Sequence, residues 1–466
     1  MIMKKILFLL LLCCGLPVVA QEVTDANTPL HLLKPEYGFH YGVPELSSVK
    51  GDIDRVLNYL EVAMPSGTEN GRLKAGSFRL TSYESGVLYR AAESAALRTG
   101  DARYMRFVTD RLDCLAALSR TISESQLRNG DYDSQMRLMM LPNALDDAGA
   151  MCSAYCCLAI TKGERLANPS EPVYDDIIKR YMNQIWRQYR IGDDHVFARV
   201  RPYYNTVWLD DMYMGIPALA WYGCLHNDTS SLHEAVDQIR AFKRRMWVES
   251  AGLFRHGWVE DMEPHPFFPW GRANGWALLT MCEVLDAMDT YLSANNGSVN
   301  GKKYGWYDED RRFVLDLLRR HIEGLCALQD KSGRWRQLLN DPTSYLETSA
   351  SAIYCYCMAH AICEGWIDVL AYGAQTLLAW NSVSTQINEK GQVMNTCVGS
   401  GMGFDRAFYC HRPVHVMAAH GYGPVIWAGG EIIRMLKQTH PKMNDSALQF
   451  YRKEQTTKEP IFSEER

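Results

Sequence analysis

Apolar residues recur at spacings of three and four in about a dozen segments of this chain, and no proline-, serine- or glycine-rich linker divides them. The spacing predicts helices near 50–65, 82–98, 103–121, 146–162, 172–189, 207–224, 231–246, 272–294, 307–329, 348–365, 366–381 and 424–438. Turn clusters such as Pro65 to Thr68, Gly192 to Asp194 and Asp330 to Gly333 punctuate them. Strand-like alternation is confined to short stretches, for example His195 to Val200 and Gly333 to Leu338. So many helices in one unbroken run need a single shared core, and a spherical bundle would leave some of them with no face to bury. A ring of six helical hairpins buries them all and leaves a mouth at one end where the loops gather. The expected fold is therefore all-α, an (α/α)6 barrel of six helical hairpins in a single domain. A superhelical solenoid would need a fixed sequence period, and the chain has none.

The ends of the chain read differently from its middle. Lys4 and Lys5, the apolar run Ile6 to Leu12 and the small residues Val18, Val19 and Ala20 form the pattern of a secretory signal over residues 1–20. The barrel is assigned to 21–440 and a polar C-terminal tail to 441–466. Cys13 and Cys14 lack the preceding small residue that lipidation wants, so the expected product is a periplasmic protein rather than a lipoprotein. No later stretch is long and apolar enough to span a membrane. Removing residues 1–20 deletes two lysines and no acids, which takes the net charge from −5 to −7. That balance argues against nucleic acid or an anionic membrane as a partner. A monomer or weak homo-oligomer is expected. Of 14 cysteines, the twelve beyond the signal sit mostly inside apolar helical runs and show no CxxC metal spacing. They read as small buried hydrophobes.

Two aromatic-framed polar strings carry the chemistry. The first runs from Trp208 through Leu209, Asp210 and Asp211 to Met214; the second runs from Trp270 through Gly271, Arg272 and Asn274 to Trp276. A carboxylate boxed in by tryptophan is costly to ionise, so the pKa of Asp210 is expected to rise. Tryptophan faces stack on sugar rings, and an arginine between them is a natural fork for a carboxylate. Together the strings suggest a protonating acid and a clamp for an acidic sugar. Plainer readings stand beside each residue. Asp146, Asp147 and Asp211 fall at first helical turns, where carboxylates cap and complement the dipole. Trp276 fits a core position with Arg272 stacked on it. His256, between Arg255 and Gly257, is either a sugar ligand or an ordinary loop residue. Glu347 reads as structural, and His411, His415 and His420 as structural or rim residues. No HExxH, GxSxG or P-loop occurs, and no metal or cofactor is expected.

Taken in order, these strings resemble glycoside hydrolase family 105, the unsaturated rhamnogalacturonyl hydrolases. The matching pieces run from Tyr83-Glu84-Ser85-Gly86 through Leu145-Asp146-Asp147, Trp208-Leu209-Asp210, His256-Gly257-Trp258, Trp270-Gly271-Arg272 and Glu347-Thr348-Ser349 to His420-Gly421-Tyr422. The resemblance implies a six-hairpin α/α barrel. It also implies removal of 4,5-unsaturated uronic acids from lyase-generated oligosaccharides by hydration of their vinyl ether bond. Carried over, Asp210 becomes the acid/base and Asp146 the second aspartate, which holds sugar hydroxyls. Trp208, His256, Trp270, Arg272 and Trp276 become the substrate shell, with Arg272 at the uronate carboxylate. The family pattern has a small polar residue after the acid, whereas this chain has Asp211. Unsaturated glucuronyl ends, from glycosaminoglycans or ulvan, are the nearest alternative substrate. A non-catalytic sugar-binding barrel is the alternative from another class.

Overall fold

A computed structural model describes residues 41–163, 174–295, 305–443 and 447–452. The predicted signal over 1–20, and the end of the polar tail from 453, lie outside the described residues. Twelve long helices organise the rest. They are α1 (Leu46–Ala63), α2 (Tyr83–Thr99), α3 (Ala102–Thr121), α4 (Leu145–Thr161), α5 (Asp175–Trp186), α6 (Asp211–His226), α7 (Thr229–Met246), α8 (Gly271–Ala294), α9 (Gly305–Cys326), α10 (Thr348–Cys363), α11 (Val369–Ser384) and α12 (Tyr422–Thr439). Each predicted helix has its counterpart, with ends shifted by a few residues.

The even-numbered helices form the inner ring. Each packs on the next, from α2 through α4, α6, α8 and α10 to α12, and α12 closes back on α2. The odd-numbered helices form the outer layer, each against an inner partner, and α1 packs on α12 to join the chain's two ends. This is the (α/α)6 barrel that the helix spacing predicts. The sequence distinguishes the layers. Inner helices are buried on almost every side: in α10 every residue from Thr348 to Ile362 is buried. Outer helices carry one apolar stripe, as in α5, where Ile177, Ile178, Tyr181, Met182 and Ile185 are buried. The inner ring is tight enough to need glycine. A Cβ on Gly149 would lie 1.7 Å from the Met214 carbonyl oxygen, and one on Gly86 would lie 2.5 Å from the Ala150 backbone.

The inner helices all begin at the same end, which is the mouth. Outer helices α3, α7 and α11 start at aspartates, Asp101, Asp228 and Asp368, whose carboxylates accept backbone N–H bonds. Inner helices α2, α4, α6, α8 and α12 start without a side-chain cap. Glu84, Asp146, Asp147 and Asp211 occupy the first turns of α2, α4 and α6, whereas α8 and α12 carry no acidic residue in their first turn, so their N–H groups and positive dipole ends offer a setting that favours anions.

One local expectation is corrected. The helix predicted from 207 starts only at Asp211, because Thr206–Trp208 forms a short strand paired antiparallel with Gly257–Val259. The first part of the polar tail packs on the barrel. Lys442–Met443 pairs with Leu448–Gln449, Phe450 lies against Gly373, and Tyr451 is buried. All twelve cysteines among the described residues are free thiols, most of them buried. No helix among the described residues is long and apolar enough to cross a membrane.

Candidate active site

The strand pair at the mouth assembles the first part of the site. It sets Trp208 opposite Gly257, and the Leu209 N–H donates to the His256 carbonyl at 2.9 Å. Asp210 follows at the start of α6, so its Oδ2 comes within 2.9 Å of His256 Nε2. Only 13% of the Asp210 side chain is exposed, and the imidazole is fully buried. Trp270 packs on His256 with ring centroids 4.7 Å apart, while Trp208 meets it edge-on at 6.2 Å. Trp208 and Trp270 therefore frame the pair, as the two strings suggest.

The other side of His256 fixes its protonation pattern. Nδ1 lies 2.7 Å from the Tyr409 hydroxyl. That hydroxyl donates to the Gly403 carbonyl at 3.0 Å and accepts from the Gly403 N–H at 3.2 Å. With its only hydrogen committed, Tyr409 must accept from Nδ1–H. Nε2 and the Asp210 carboxyl then need one proton between them, since two lone pairs at 2.9 Å would repel. The sign of the Asp210 shift differs from the sequence expectation. Burial alone would raise its carboxyl, but the charge and hydrogen bond of His256, with Arg199 and Arg272 behind them, hold it below the usual carboxylate range.

A second group sits beside the first. Arg199 grips Asp211 with two nitrogens, Nε to Oδ2 at 2.9 Å and Nη2 to Oδ1 at 2.6 Å, and its Nη1 reaches Asp146 Oδ2 at 2.8 Å. Its guanidinium also lies over the Trp208 ring, 4.6 Å from the centroid. Burial pushes the fully enclosed Asp211 carboxyl up to about 6 against the pull of Arg199, and the nearby Asp146 and Asp210 push the same way. Asp146 is thus tied through Arg199 to Asp211. Asp147 instead accepts the Asn143 N–H at 3.0 Å, in the first turn of α4.

Across the mouth, the Tyr83 hydroxyl bonds His420 Nε2 at 2.5 Å, and Glu84 Oε1 lies 3.5 Å from the same nitrogen. Burial and the nearby Arg272 drive His420 far below the usual histidine range, so the ring is neutral. Burial lifts the Glu84 carboxyl. Tyr83, Glu84, Asp146 and Asp147 line one cavity of about 420 Å³.

Two members of the expected substrate shell are buried. Arg272 is buried, and its terminal nitrogens donate to the Cys397 carbonyl at 2.8 Å, the Val398 carbonyl at 2.9 Å and Ser349 Oγ at 3.3 Å. It also lies over the Trp270 ring at 4.6 Å. Its fork is spent on tying α8 to the 397–398 loop, so it offers the site a fixed charge rather than an open clamp. Trp276 is 1% exposed and stacks on Tyr213 at 5.1 Å, which makes it core. Glu347 is structural, accepting from the Ala350 and Cys397 N–H groups at 2.6 and 2.8 Å. Sequence reading missed Arg199 and Tyr409. Arg199 carried a usable signal, a charged residue inside a strand-like stretch; Tyr409 carried none.

The sequence model described as Glycosyl Hydrolase Family 88 matches residues 60–436. The chain is 24% identical over 239 residues to the unsaturated rhamnogalacturonyl hydrolase YesR of Bacillus subtilis, a match covering 51% of this chain and 62% of that protein. It is 26% identical over 198 residues to an unsaturated 3S-rhamnoglycuronyl hydrolase of Formosa agariphila, covering 40% of this chain and 48% of the relative. The chain thus spans about half to three fifths of the length of these curated relatives. A crystal structure from Salmonella enterica serovar Paratyphi A, put forward as a member of family GH105, superposes with a TM-score of 0.65 at 21% identity, covering 89% of this chain and 99% of that one.

Proposed function

This chain belongs to Glycosyl Hydrolase Family 88, and from that premise we propose that it removes 4,5-unsaturated galacturonyl residues from the non-reducing ends of rhamnogalacturonan oligosaccharides. The observation that carries this reading is the Asp210–His256 pair, 2.9 Å apart between Trp208 and Trp270. The likeness to the rhamnogalacturonyl hydrolase YesR supports the choice of sugar.

The chemistry follows from that pair. The proton shared by Asp210 and His256 rests toward His256, because the surrounding cations favour ionised Asp210. An unsaturated uronate entering the mouth brings a negative charge and displaces water. Both effects disfavour the separated charges and move the proton onto Asp210. Asp210 then delivers it to C4 of the enol ether, and positive charge develops at C5 and the ring oxygen. Water adds at C5 and surrenders a proton to the Asp210 carboxylate, which restores the pair. The product is a hemiketal at C5. It opens by breaking the bond from C5 to the ring oxygen, and the hemiacetal left at C1 expels the remaining sugar. One water is consumed, and every proton is accounted for by side chains and water. Asp146, held by Arg199, accepts hydrogen bonds from sugar hydroxyls. The N-termini of α8 and α12 and the charge of Arg272 favour the uronate.

A second reading changes only the sugar: unsaturated glucuronyl ends, supported by the likeness to the 3S-rhamnoglycuronyl hydrolase. The test uses the full chain and follows the ultraviolet absorbance of the conjugated double bond. Unsaturated rhamnogalacturonan disaccharide should lose that absorbance. Loss on a glucuronyl substrate alone would move the assignment to the second reading. Unchanged absorbance on both would overturn the hydrolase assignment.

A further inference from the structure

Tyr203 and Tyr204 stand on one short loop, 56% and 75% exposed, and the mechanism uses neither. The loop that presents them is tied at its base and along its length. Arg199 and Thr206 exchange backbone N–H bonds at 2.7 and 3.1 Å, and Thr206 Oγ1 donates to the Tyr203 carbonyl at 2.7 Å. Asn205 closes the turn at φ 57°; its side-chain amide donates to Glu260 and accepts from the Tyr189 hydroxyl, each at 2.5 Å. Two large rings held in water on a braced loop are pre-organised for contact. Their position relative to the reacting pair follows from three contacts. The Trp208 indole N–H donates to the Arg201 carbonyl of this loop at 3.1 Å. Tyr203 and Tyr204 share a cavity of about 500 Å³ with Val259, Asp261 and Glu263. Val259 pairs with Thr206 in the same ladder in which Gly257 pairs with Trp208, two residues away, or about 7 Å along the strand. On the other flank Tyr203 meets Phe404 at 5.9 Å, and the neighbouring Gly403 is the residue that holds the Tyr409 hydroxyl behind His256. The segments that fix Asp210 and His256 therefore also frame the two tyrosines.

Exposed aromatic rings suit the apolar face of a sugar ring. Asp261 and Glu263, both exposed on the wall of the same cavity, accept from sugar hydroxyls and repel a carboxylate, so the sugar that fits there is neutral. Trp208 and Trp270 frame Asp210 and His256, where the unsaturated sugar reacts, and the tyrosines lie beyond Trp208 on the exposed side. They meet the chain that leaves. We propose that Tyr203 and Tyr204 form a stacking platform for a neutral sugar of the leaving oligosaccharide, beyond the residue at the scissile bond. The platform rests on the hydrolase reading and deepens it: the enzyme favours longer unsaturated oligosaccharides over the disaccharide.

The test measures binding by calorimetry in an Asp210→Asn background, where substrate is held without turnover. Unsaturated rhamnogalacturonan disaccharide and tetrasaccharide are compared. The tetrasaccharide should bind about tenfold more tightly. Adding Tyr203→Ala and Tyr204→Ala should erase that ratio, whereas Tyr203→Phe with Tyr204→Phe should keep it, because stacking needs the ring and not the hydroxyl. Both positions are exposed, and matching melting curves would verify that the fold is intact. Equal affinity for the two lengths, a tenfold ratio that survives in the alanine variant, or its loss in the phenylalanine variant would overturn the platform. Absorbance loss with the wild type decides the hydrolase reading separately. Cleavage with no advantage of length would overturn the platform alone. A length advantage that depends on the tyrosines, with no cleavage by the wild type, would sustain the platform and overturn the hydrolase reading.

Discussion

Arg199 holds Asp211 along a two-point edge, at 2.9 and 2.6 Å, and gives its remaining terminal nitrogen to Asp146 at 2.8 Å. The carboxylate next to the proposed acid is therefore not a second acid. It anchors the arginine that positions the second aspartate. Asp210 and Asp211, adjacent in sequence, turn to different partners: Asp210 to His256 and Asp211 to Arg199. Their shifts separate accordingly, one held below the carboxylate range and the other lifted to about 6.

That separation gives Asp211 a distinct signature. Its folded-state proton is held to about pH 6, against 3.8 for an ordinary aspartate, because burial outweighs the bridge to Arg199. The stability this group contributes is complete below 3.8 and is lost as the pH rises through about 6. Asp211→Asn imitates the protonated form. It should melt no lower than the wild type at pH 7, and the two curves should converge in acid. Activity should fall about tenfold at neutral pH, as Arg199 and Asp146 lose their anchor. Melting scans and kcat/KM from pH 4 to 8 check both halves. A variant that melts far below the wild type at neutral pH would assign Asp211 a purely structural bridge.

Asp210→Asn removes the proton donor while keeping the shape. Loss of general acid–base catalysis costs on the order of 10³-fold in kcat. Because the Asp210 pKa is lowered in the fold, its carboxylate stabilises the protein above 3.8, and that contribution disappears as the pH falls through its folded value. The variant should accordingly melt slightly lower at pH 7, by on the order of 1 kcal/mol in stability. Turnover within tenfold of the wild type would remove Asp210 from the acid role.

Tyr409→Phe tests the far end of the same chain of hydrogen bonds. The hydroxyl accepts from His256 Nδ1, so its loss frees the imidazole to change tautomer and leaves Nδ1–H buried without a partner. The expected drop in kcat is about tenfold, with KM little changed and the acid limb of the pH profile displaced. A parallel change in KM and kcat, with an unmoved profile, would show that Tyr409 merely packs.

The barrel was readable because helix periodicity reports directly on which faces are buried, and twelve such patterns leave few ways to bury them. Asp210, His256, Trp208 and Trp270 were readable because short aromatic strings carry them. The partners that determine what those residues do were not. His256 meets Tyr409 across 153 positions, and no local pattern encodes a contact that only the closed ring creates. Trp208 fitted a helical period, yet the chain there pairs as a strand with Gly257–Val259, because tertiary pairing overrode the local spacing. Asp211 was noticed but could not be assigned, since Arg199 reaches it only once that strand pair turns the chain.

Arg272 is where sequence chemistry and structure part, and it makes the sharpest comparison. As an open fork for the uronate, it would be sensitive in KM and dispensable to the fold. In the structure its terminal nitrogens donate to the Cys397 and Val398 carbonyls and to Ser349 Oγ, beside buried Glu347. Arg272→Lys keeps the charge but loses the planar set of donors, leaving buried carbonyls unsatisfied. A loss of about 2–4 kcal/mol in stability is expected, as two such groups lose their partners. Because the 397–398 loop lies beside the site, kcat should fall along with stability, while KM for substrate changes little. Thermal melting and steady-state kinetics on the same preparation decide the matter. A rise in KM with an unchanged melting temperature would restore Arg272 as the substrate's clamp.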